Sequence, residues 1–409
     1  MNEAWIIDTA RTPRGIGKFG KGALSDVHPQ RILSSVLKAL AERNGLNTSD
    51  IDDVIAGTGT QFGKQGLCLA RMAALDAGYD PVAPAFSLDR FCGSGLTSVN
   101  LGAMGIMAGV QDLVVAGGVE SMSHNSQLNN SAFMDSGNTH LRKLIPQPHQ
   151  GICGDIIATL EGITREDVDA LALESQRRAD AAIRDGRFDR SLVPVYHDDG
   201  TLALDREEFP RPQTTAEGLA ALRPAFEQMF DAPLDAEGST YAQIVRAAYP
   251  DLHINHVHTA GNSSGVVDGA GAVIVASPDY ARAHGLKPRA RIRALATVGD
   301  DPTLMLNAPV PATHKALKMA GMDVKDIDLW EINEAFAVVP IRCMRKLGID
   351  PSIVNVNGGA MALGHPIGAT GAILLGMLLD EMERRDVSTG LVTMCAAGGM
   401  APATIIERI

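Results

Sequence analysis

Two thiols, one imidazole and one amide stand where they could make and break a bond to carbon. Cys92 lies in SLDRFCGSG, where a strand-like run stops and a charge-free helical run begins. A helix start offers unpaired N–H groups and the positive end of the helix dipole, which favour a thiolate and lower a cysteine pKa. Gly93 and Gly95 allow the backbone to turn tightly there and to approach a ligand. His365 lies in GGAMALGHPIGATGA, ahead of Pro366, in a loop that enters a second charge-free helix. A cysteine and a histidine brought together make an activated nucleophile. Cys395, in LVTMCAAGGMA, ends a strand-like run at a Gly-rich turn, and a thiol with a pKa near neutral can serve as acid and base. Asn333, in EINEAFA, carries an amide suited to holding a water or the substrate. Each has a plainer reading, as a packed cysteine or a satisfied structural histidine. Cys68, Cys153 and Cys343 have no comparable setting and are assigned to packing. The HINHVH run (His253, His256, His258) invites zinc, but no cysteine or carboxylate stands near it in a recognisable metal spacing, so no metal site is expected.

The elements that must position these groups show a duplication. Phe91 to Val110 and Pro351 to Leu379 contain no Asp, Glu, Lys or Arg. Their Gly, Ser, Asn and Pro content does not suit a lipid-facing span, so both read as helices buried by protein on every side. Gly45-Leu46-Asn47-Thr48-Ser49-Asp50-Ile51-Asp52 matches Gly321-Met322-Asp323-Val324-Lys325-Asp326-Ile327-Asp328, 276 positions on. At the same offset Ser94 falls on Thr370 and Gly95 on Gly371. Two halves of like α/β pattern are expected, with the charge-free helices together at the centre. Between them the chain turns polar and Pro-rich, as in HDDGTLALDREEFPRPQ, and reads as an inserted lobe. The expected division is 1–119 with 257–277, 120–256, and 278–409.

The chain has 409 residues, 45% hydrophobic and 21% charged, which suits a large globular core and excludes disorder. A formal charge of −12 leaves no basic footprint for nucleic acid, so an anionic ligand needs a local Arg or Lys cluster. The start MNEAWIIDTARTPRG has no basic-then-apolar leader and the final TIIERI is not the peroxisomal address, so a cytoplasmic location is expected.

The Cys92 CGS, Asn333 NEAF, His365 GHP and Cys395 motifs, in this order and spacing, resemble the thiolase family. So do ARTPRGIGKFG near the N-terminus, VESMS at Val119–Ser123, GRF at Gly186–Phe188 and AGNSSGVVDGAGA at Ala260–Ala272, so that the resemblance covers essentially the whole chain. It implies a five-layer αβαβα core from two similar halves, with an inserted loop domain that binds coenzyme A. It implies that Cys92 takes the acyl group as a thioester and that His365 activates it. His365 and a water held by Asn333 would form one oxyanion hole, and the backbone N–H groups of Cys92 and Ala397 the other. Cys395 would move the proton at carbon. Gln150, Arg211, Ala225, Phe226, Ala260 and Ser264 would contact coenzyme A, with Met305 and Phe336 at the acyl end. The implied activity is thiolysis of 3-ketoacyl-CoA in fatty-acid metabolism such as β-oxidation, or the reverse condensation. Coenzyme A is then a substrate, no metal or redox cofactor is required, and a homodimer or homotetramer is expected.

Some residues depart from the family pattern. Ala397 stands where Gly is usual, Leu306-Asn307-Ala308 replaces a Gly-x-Gly, and Gln150 replaces a Met of the acyl pocket. The stretch Glu120–His149 is shorter than in tetrameric biosynthetic members. A ketoacyl-synthase-like condensing enzyme and a non-catalytic coenzyme A binder are the alternatives. Cys395 opposes the first, and the intact set of Cys92, Asn333, His365 and Cys395 opposes the second.

Overall fold

The computed structural model describes residues 2–128, 134–235 and 237–409, so part of the stretch Glu120–His149 lies outside the described residues. The first half runs β1 (Trp5–Arg11), α1 (Pro29–Asn44), β2 (Asp53–Gly57), α2 (Leu69–Asp76), β3 (Ala85–Leu88), α3 (Ser94–Met107) and β4 (Leu113–Ser121). The inserted lobe carries α4 (Gln150–Glu161) and α5 (Arg165–Arg184), and the chain returns as β5 (Val267–Ala276). The second half runs β6 (Ala290–Gly299), α6 (Pro309–Ala320), β7 (Leu329–Ile332), α7 (Val338–Leu347), α8 (Thr370–Arg385), β8 (Thr389–Thr393) and β9 (Met400–Arg408).

The repeated octapeptide is one device used twice. Proline opens both α1 and α6 at positions where no N–H is needed. Gly45 (φ 58°) and Gly321 (φ 68°) end them in the left-handed conformation that glycine adopts without strain. A single 3₁₀ turn then leads into β2 or β7. Within each half the inner strands pair in parallel (β2 with β3 and β4, β7 with β8), and the return strands β5 and β9 add antiparallel.

The strand order is β7-β8-β9-β6-β1-β5-β4-β2-β3. The halves meet where β1 pairs with β6 at only two positions, Trp5 opposite Arg291 and Ile6 opposite Ala290. The two sheets of the duplicated pattern thus share one hydrogen-bonded path. Helices α1 and α2 cover the outer face of the first half-sheet and α6 that of the second, with α7 packed on α6 and β7. Helices α3 and α8 touch each other and strands of both half-sheets, which makes the middle of five layers, αβαβα.

The small residues of that middle layer are a packing requirement. A Cβ on Gly95 would stand 2.7 Å from the Gly368 carbonyl oxygen, and one on Gly371 would stand 2.2 Å from the Leu96 nitrogen. The two helices therefore cross backbone to backbone at the paired positions Gly95 and Gly371. Larger or charged side chains there would separate the sheets or bury uncompensated charge.

The lobe is tied down by charge as well as packing. Glu207 accepts from Arg11 Nη1 at 2.6 Å and Arg14 Nη2 at 2.7 Å, with all three side chains buried. Burial works against its carboxylate, but the two guanidinium groups prevail and hold its pKa down at about 2. Among the described residues no helix is long and apolar enough to cross a membrane.

Candidate active site

The first half supplies Cys92 from a turn between β3 and α3. Asp89 accepts the Phe91 N–H at 2.7 Å, and Ser94 Oγ accepts the Arg90 N–H at 2.8 Å while donating to the Phe91 carbonyl at 2.6 Å. These bonds hold Phe91 at φ 48°, a left-handed conformation rarely adopted by a side chain of that size. A Cβ on Gly93 would lie 3.0 Å from Pro402 and 3.5 Å from the Ala396 side chain, so the Cys92 turn rests directly on the turn that carries Cys395.

Cys92 is 6% exposed. Burial pushes its thiol up, and neighbouring Cys395 and Glu120 add to the rise. The helix start favours a lowered pKa, but the loss of solvation outweighs it, so the sulfur rests as a neutral thiol. Cys395 is buried too and is raised to about 12, by burial and then by Cys343 and Cys153. The Ala397 N–H has no acceptor among the described residues. The Cys92 N–H, in the first turn of its helical run, has no carbonyl one turn back to receive it.

The second half supplies His365. A side chain on Gly364 (φ 93°) would strike Val267 at 2.4 Å, and the His365 N–H donates to the Gly265 carbonyl at 2.9 Å. Thr370 Oγ1 stands 2.5 Å from His365 Nδ1 and donates its hydrogen to the Pro366 carbonyl at 2.9 Å. A hydroxyl has one hydrogen, so Nδ1 carries the ring proton and Nε2 keeps its lone pair. Nε2 lies 3.4 Å from Asn333 Nδ2. Burial, with a smaller contribution from Arg14, lowers the His365 pKa to about 4, which leaves the ring neutral at pH 7. Asn333 is anchored where β7 ends, its N–H donating to the Thr393 carbonyl at 3.1 Å, and its buried Oδ1 has no partner among the described residues.

Cys92 and His365 line one cavity of about 170 Å³, together with Gln150, Phe226, Ser264 and Phe336. The Ser263–Gly265 strip is stitched between the other loops. Ser264 N–H donates to the Ala335 carbonyl and Gly265 N–H to the Ala360 carbonyl, both at 3.0 Å. Arg211 and Ala260 line a neighbouring groove of about 240 Å³, where Arg211 forms no ion pair among the described residues. Ala225 lines neither cavity, and its N–H donates to the His258 carbonyl at 2.9 Å. Met305, expected at the acyl end, is instead fully buried in the core of the second half and is not on the cavity wall. A loop backbone at φ 58° turns that side chain inward.

The histidine run has a partner that sequence spacing does not show. Asp155, far off in sequence, lies 2.7 Å from His256 Nδ1 and 2.8 Å from His258 Nδ1. A carboxylate is therefore present through space, yet no group of three metal-binding side chains forms among the described residues.

Several residues that sequence reasoning missed hold the site in place. Glu120 accepts from the Gly59 N–H at 2.7 Å and the Gly368 N–H at 2.9 Å, tying the loop after His365 to the first half. Glu334 accepts from Ser175 Oγ at 2.7 Å, Asn355 Nδ2 at 3.0 Å and the Met361 N–H at 3.2 Å, joining α5 to the loop before His365. VESMS and NEAF contain them, but their partners are distant in sequence. A lone-pair base, two neutral thiols and unfilled amide donors can together form a covalent bond to an electrophilic carbon and hold negative charge on its oxygen.

Residues 4–231 match the family described as "Thiolase, N-terminal domain" and residues 286–408 that described as "Thiolase, C-terminal domain". The chain is 39% identical to an "Acetyl-CoA acetyltransferase" of Thiocystis violacea, over 99% of this chain and 98% of that protein. It is 37% identical to a "3-ketoacyl-CoA thiolase" of Colwellia psychrerythraea and 38% identical to one of Yersinia pestis, in both cases over the full length of each chain.

Proposed function

The chain belongs to the thiolase family of acyltransferases, and from that premise we propose that it cleaves 3-ketoacyl-CoA with coenzyme A through an acyl-Cys92 intermediate. The observation that carries this reading is the unprotonated His365 Nε2, fixed by Thr370, in the same cavity as Cys92. The Cys92 proton passes to Nε2 as sulfur bonds to the keto carbon. The resulting oxyanion is held by the Cys92 and Ala397 amides. The bond between C2 and C3 then breaks, leaving the acyl group on Cys92 and an acetyl-CoA enolate. The enolate oxygen faces the new Nε2–H and a water on Asn333, and Cys395 protonates C2. Incoming coenzyme A gives its thiol proton to Cys395 and takes the acyl group, and His365 returns its proton to Cys92. Condensation is the same path reversed.

Each carbon–carbon step stores charge on oxygen, so preorganised donors are the main source of acceleration, each worth about 3 kcal/mol in other enzymes. Coenzyme A would lie along the lobe with its phosphates near Arg211, a cation with no ion pair among the described residues in an otherwise acidic chain.

Mass spectrometry after incubation with acetoacetyl-CoA tests the assignment. The parent should gain one acetyl group on Cys92, and Cys92→Ser should gain at most about one ten-thousandth as fast. In the same assay Cys395→Ala should still accept an acetyl group from acetyl-CoA while losing thiolysis. An adduct of equal yield on Cys92→Ser removes the nucleophile from that position.

We further propose a cytoplasmic enzyme that works as a homodimer. Strand β3 is one of the two end strands of the sheet, and Phe86 on it is exposed, as are Val82 and Leu67. An unpaired edge with apolar side chains is the surface a second copy can extend. Light scattering should give twice the monomer mass, and Phe86→Lys should shift it toward monomer.

A further inference from the structure

Three polar groups on the wall of the Cys92 cavity have no hydrogen-bond partner among the described residues. Ser263 Oγ is buried and has no hydrogen-bond partner among the described residues. The Gln150 side-chain amide lines the cavity from the first residue of α4 and bonds to none of the described residues. His149 caps α4, its Nδ1 accepting the Gly151 N–H at 3.1 Å. An imidazole that accepts at Nδ1 carries its proton on Nε2, and burial pushes the pKa of this ring down. That N–H is a third unspent group, and the ring plane is set by Phe226, 5.3 Å away between centroids. Apart from Ser264 and the Cys92 and His365 pair, the remaining wall is apolar, with Met122, Phe226 and Phe336, and no Lys or Arg lines the cavity.

A buried polar group without a partner is costly, so Ser263 Oγ calls for one in whatever fills the cavity, and the half-buried Gln150 amide and His149 Nε2–H line the same wall. A plain alkyl chain would meet none of them. A carboxylate would accept their hydrogens but would be desolvated with no cation beside it. A hydroxyl or a second carbonyl fits: it accepts from His149 Nε2–H and Ser263 O–H, and the Gln150 amide answers either polarity. Resting on the reading of this cavity as the acyl-transfer site, we propose that the preferred acyl group carries a neutral oxygen beyond its 3-keto carbon, bound by Gln150, His149 and Ser263.

The competing assignment for these groups is the coenzyme A arm, whose own amides need partners. Thiolysis of paired 3-ketoacyl-CoA esters of graded length separates the two. Each pair differs only in a chain-end hydroxyl that replaces a methyl. The hydroxyl member of the best pair should exceed its methyl isostere in kcat/KM by about tenfold or more. Gln150→Leu and Ser263→Ala, each checked for native thermal unfolding so that either carries the test, should pull that ratio toward one. A methyl preference at every length overturns the proposal. So does an equal slowing of both members with the ratio unchanged, which gives the groups to the coenzyme A arm. A carboxylate-ended ester that outruns the hydroxyl one overturns the neutral-oxygen assignment. Absence of turnover with every ester, and of any Cys92 adduct, defeats the acyl-transfer reading itself, and this inference falls with it.

Discussion

The two halves set the same device to different work. In each, a Gly-containing turn leads into a buried helix whose first residue bears a hydroxyl, Ser94 in one and Thr370 in the other. Ser94 Oγ closes the turn on itself, bridging Arg90 N–H and the Phe91 carbonyl, and so fixes the backbone that presents Cys92. Thr370 Oγ1 also reaches back to a carbonyl, that of Pro366, but its lone pair meets the His365 ring. One half thus aims a backbone and the other selects a tautomer. The matching helix starts place a hydroxyl at the same point of both halves, and in the second that hydroxyl is a partner of the base.

The comparison breaks first at the helix crossing, where the matched glycines are unequally confined. Gly371→Ala would drive a methyl to 2.2 Å from a backbone nitrogen, whereas the nearest atom to Gly95→Ala is a carbonyl oxygen at 2.7 Å. Neither backbone can move without shifting a sheet, so Gly371→Ala should cost about 3 kcal/mol or more, and Gly95→Ala less. Denaturant unfolding reads the order, and the reverse order would show that the crossing is centred elsewhere. Next in size is the pair of hydroxyls. Thr370→Val keeps the shape but removes the acceptor for Nδ1, so kcat should fall about 10–100-fold with KM little changed. Ser94→Ala should lower stability by about 1–2 kcal/mol through the turn while leaving the His365 tautomer intact. Equal losses of kcat in the two variants would erase the distinction between them.

What the sequence disclosed follows the same division. Gly95 and Gly371 could be paired from text, because a fixed offset survives where geometry allows nothing larger. Cys92 and His365 stood out because glycines punctuate the chain beside them, at Gly93 and Gly95 and at Gly364 and Gly368. The roles of Glu120 and Glu334 were hidden, since a buried carboxylate is explained only by donors such as Gly368 and Ser175, remote along the chain. The same holds for Asp155 under the HINHVH run. The expected lowering of the Cys92 pKa failed because a helix start is legible locally and the depth of burial is not. Met305 misled for a related reason: its place in a motif was readable, but the left-handed backbone that turns it into the core was not.

The smallest effect is a change that should be missing. An ordinary histidine has a pKa near 6.5, and a base of that kind loses activity about tenfold per unit as pH falls below it. In this chain burial, helped by Arg14, lowers His365 to about 4, so the ring stays unprotonated and competent well below its usual range. Acetyl transfer from acetyl-CoA to Cys92 should therefore hold steady on its acid side from pH 7 down to about 5.5, with the acid limb only near pH 4 to 5. Quenched-flow mass spectrometry of the adduct, with circular dichroism at each pH to confirm that the fold persists, measures it directly. In Thr370→Val the ring loses its fixed Nδ1–H acceptor but keeps its burial, so the rate should be lower at every pH while the limb stays in place. A limb near 6.5 in the parent would mean that water reaches His365 in solution, and the buried lone pair at Nε2 would no longer explain how Cys92 loses its proton.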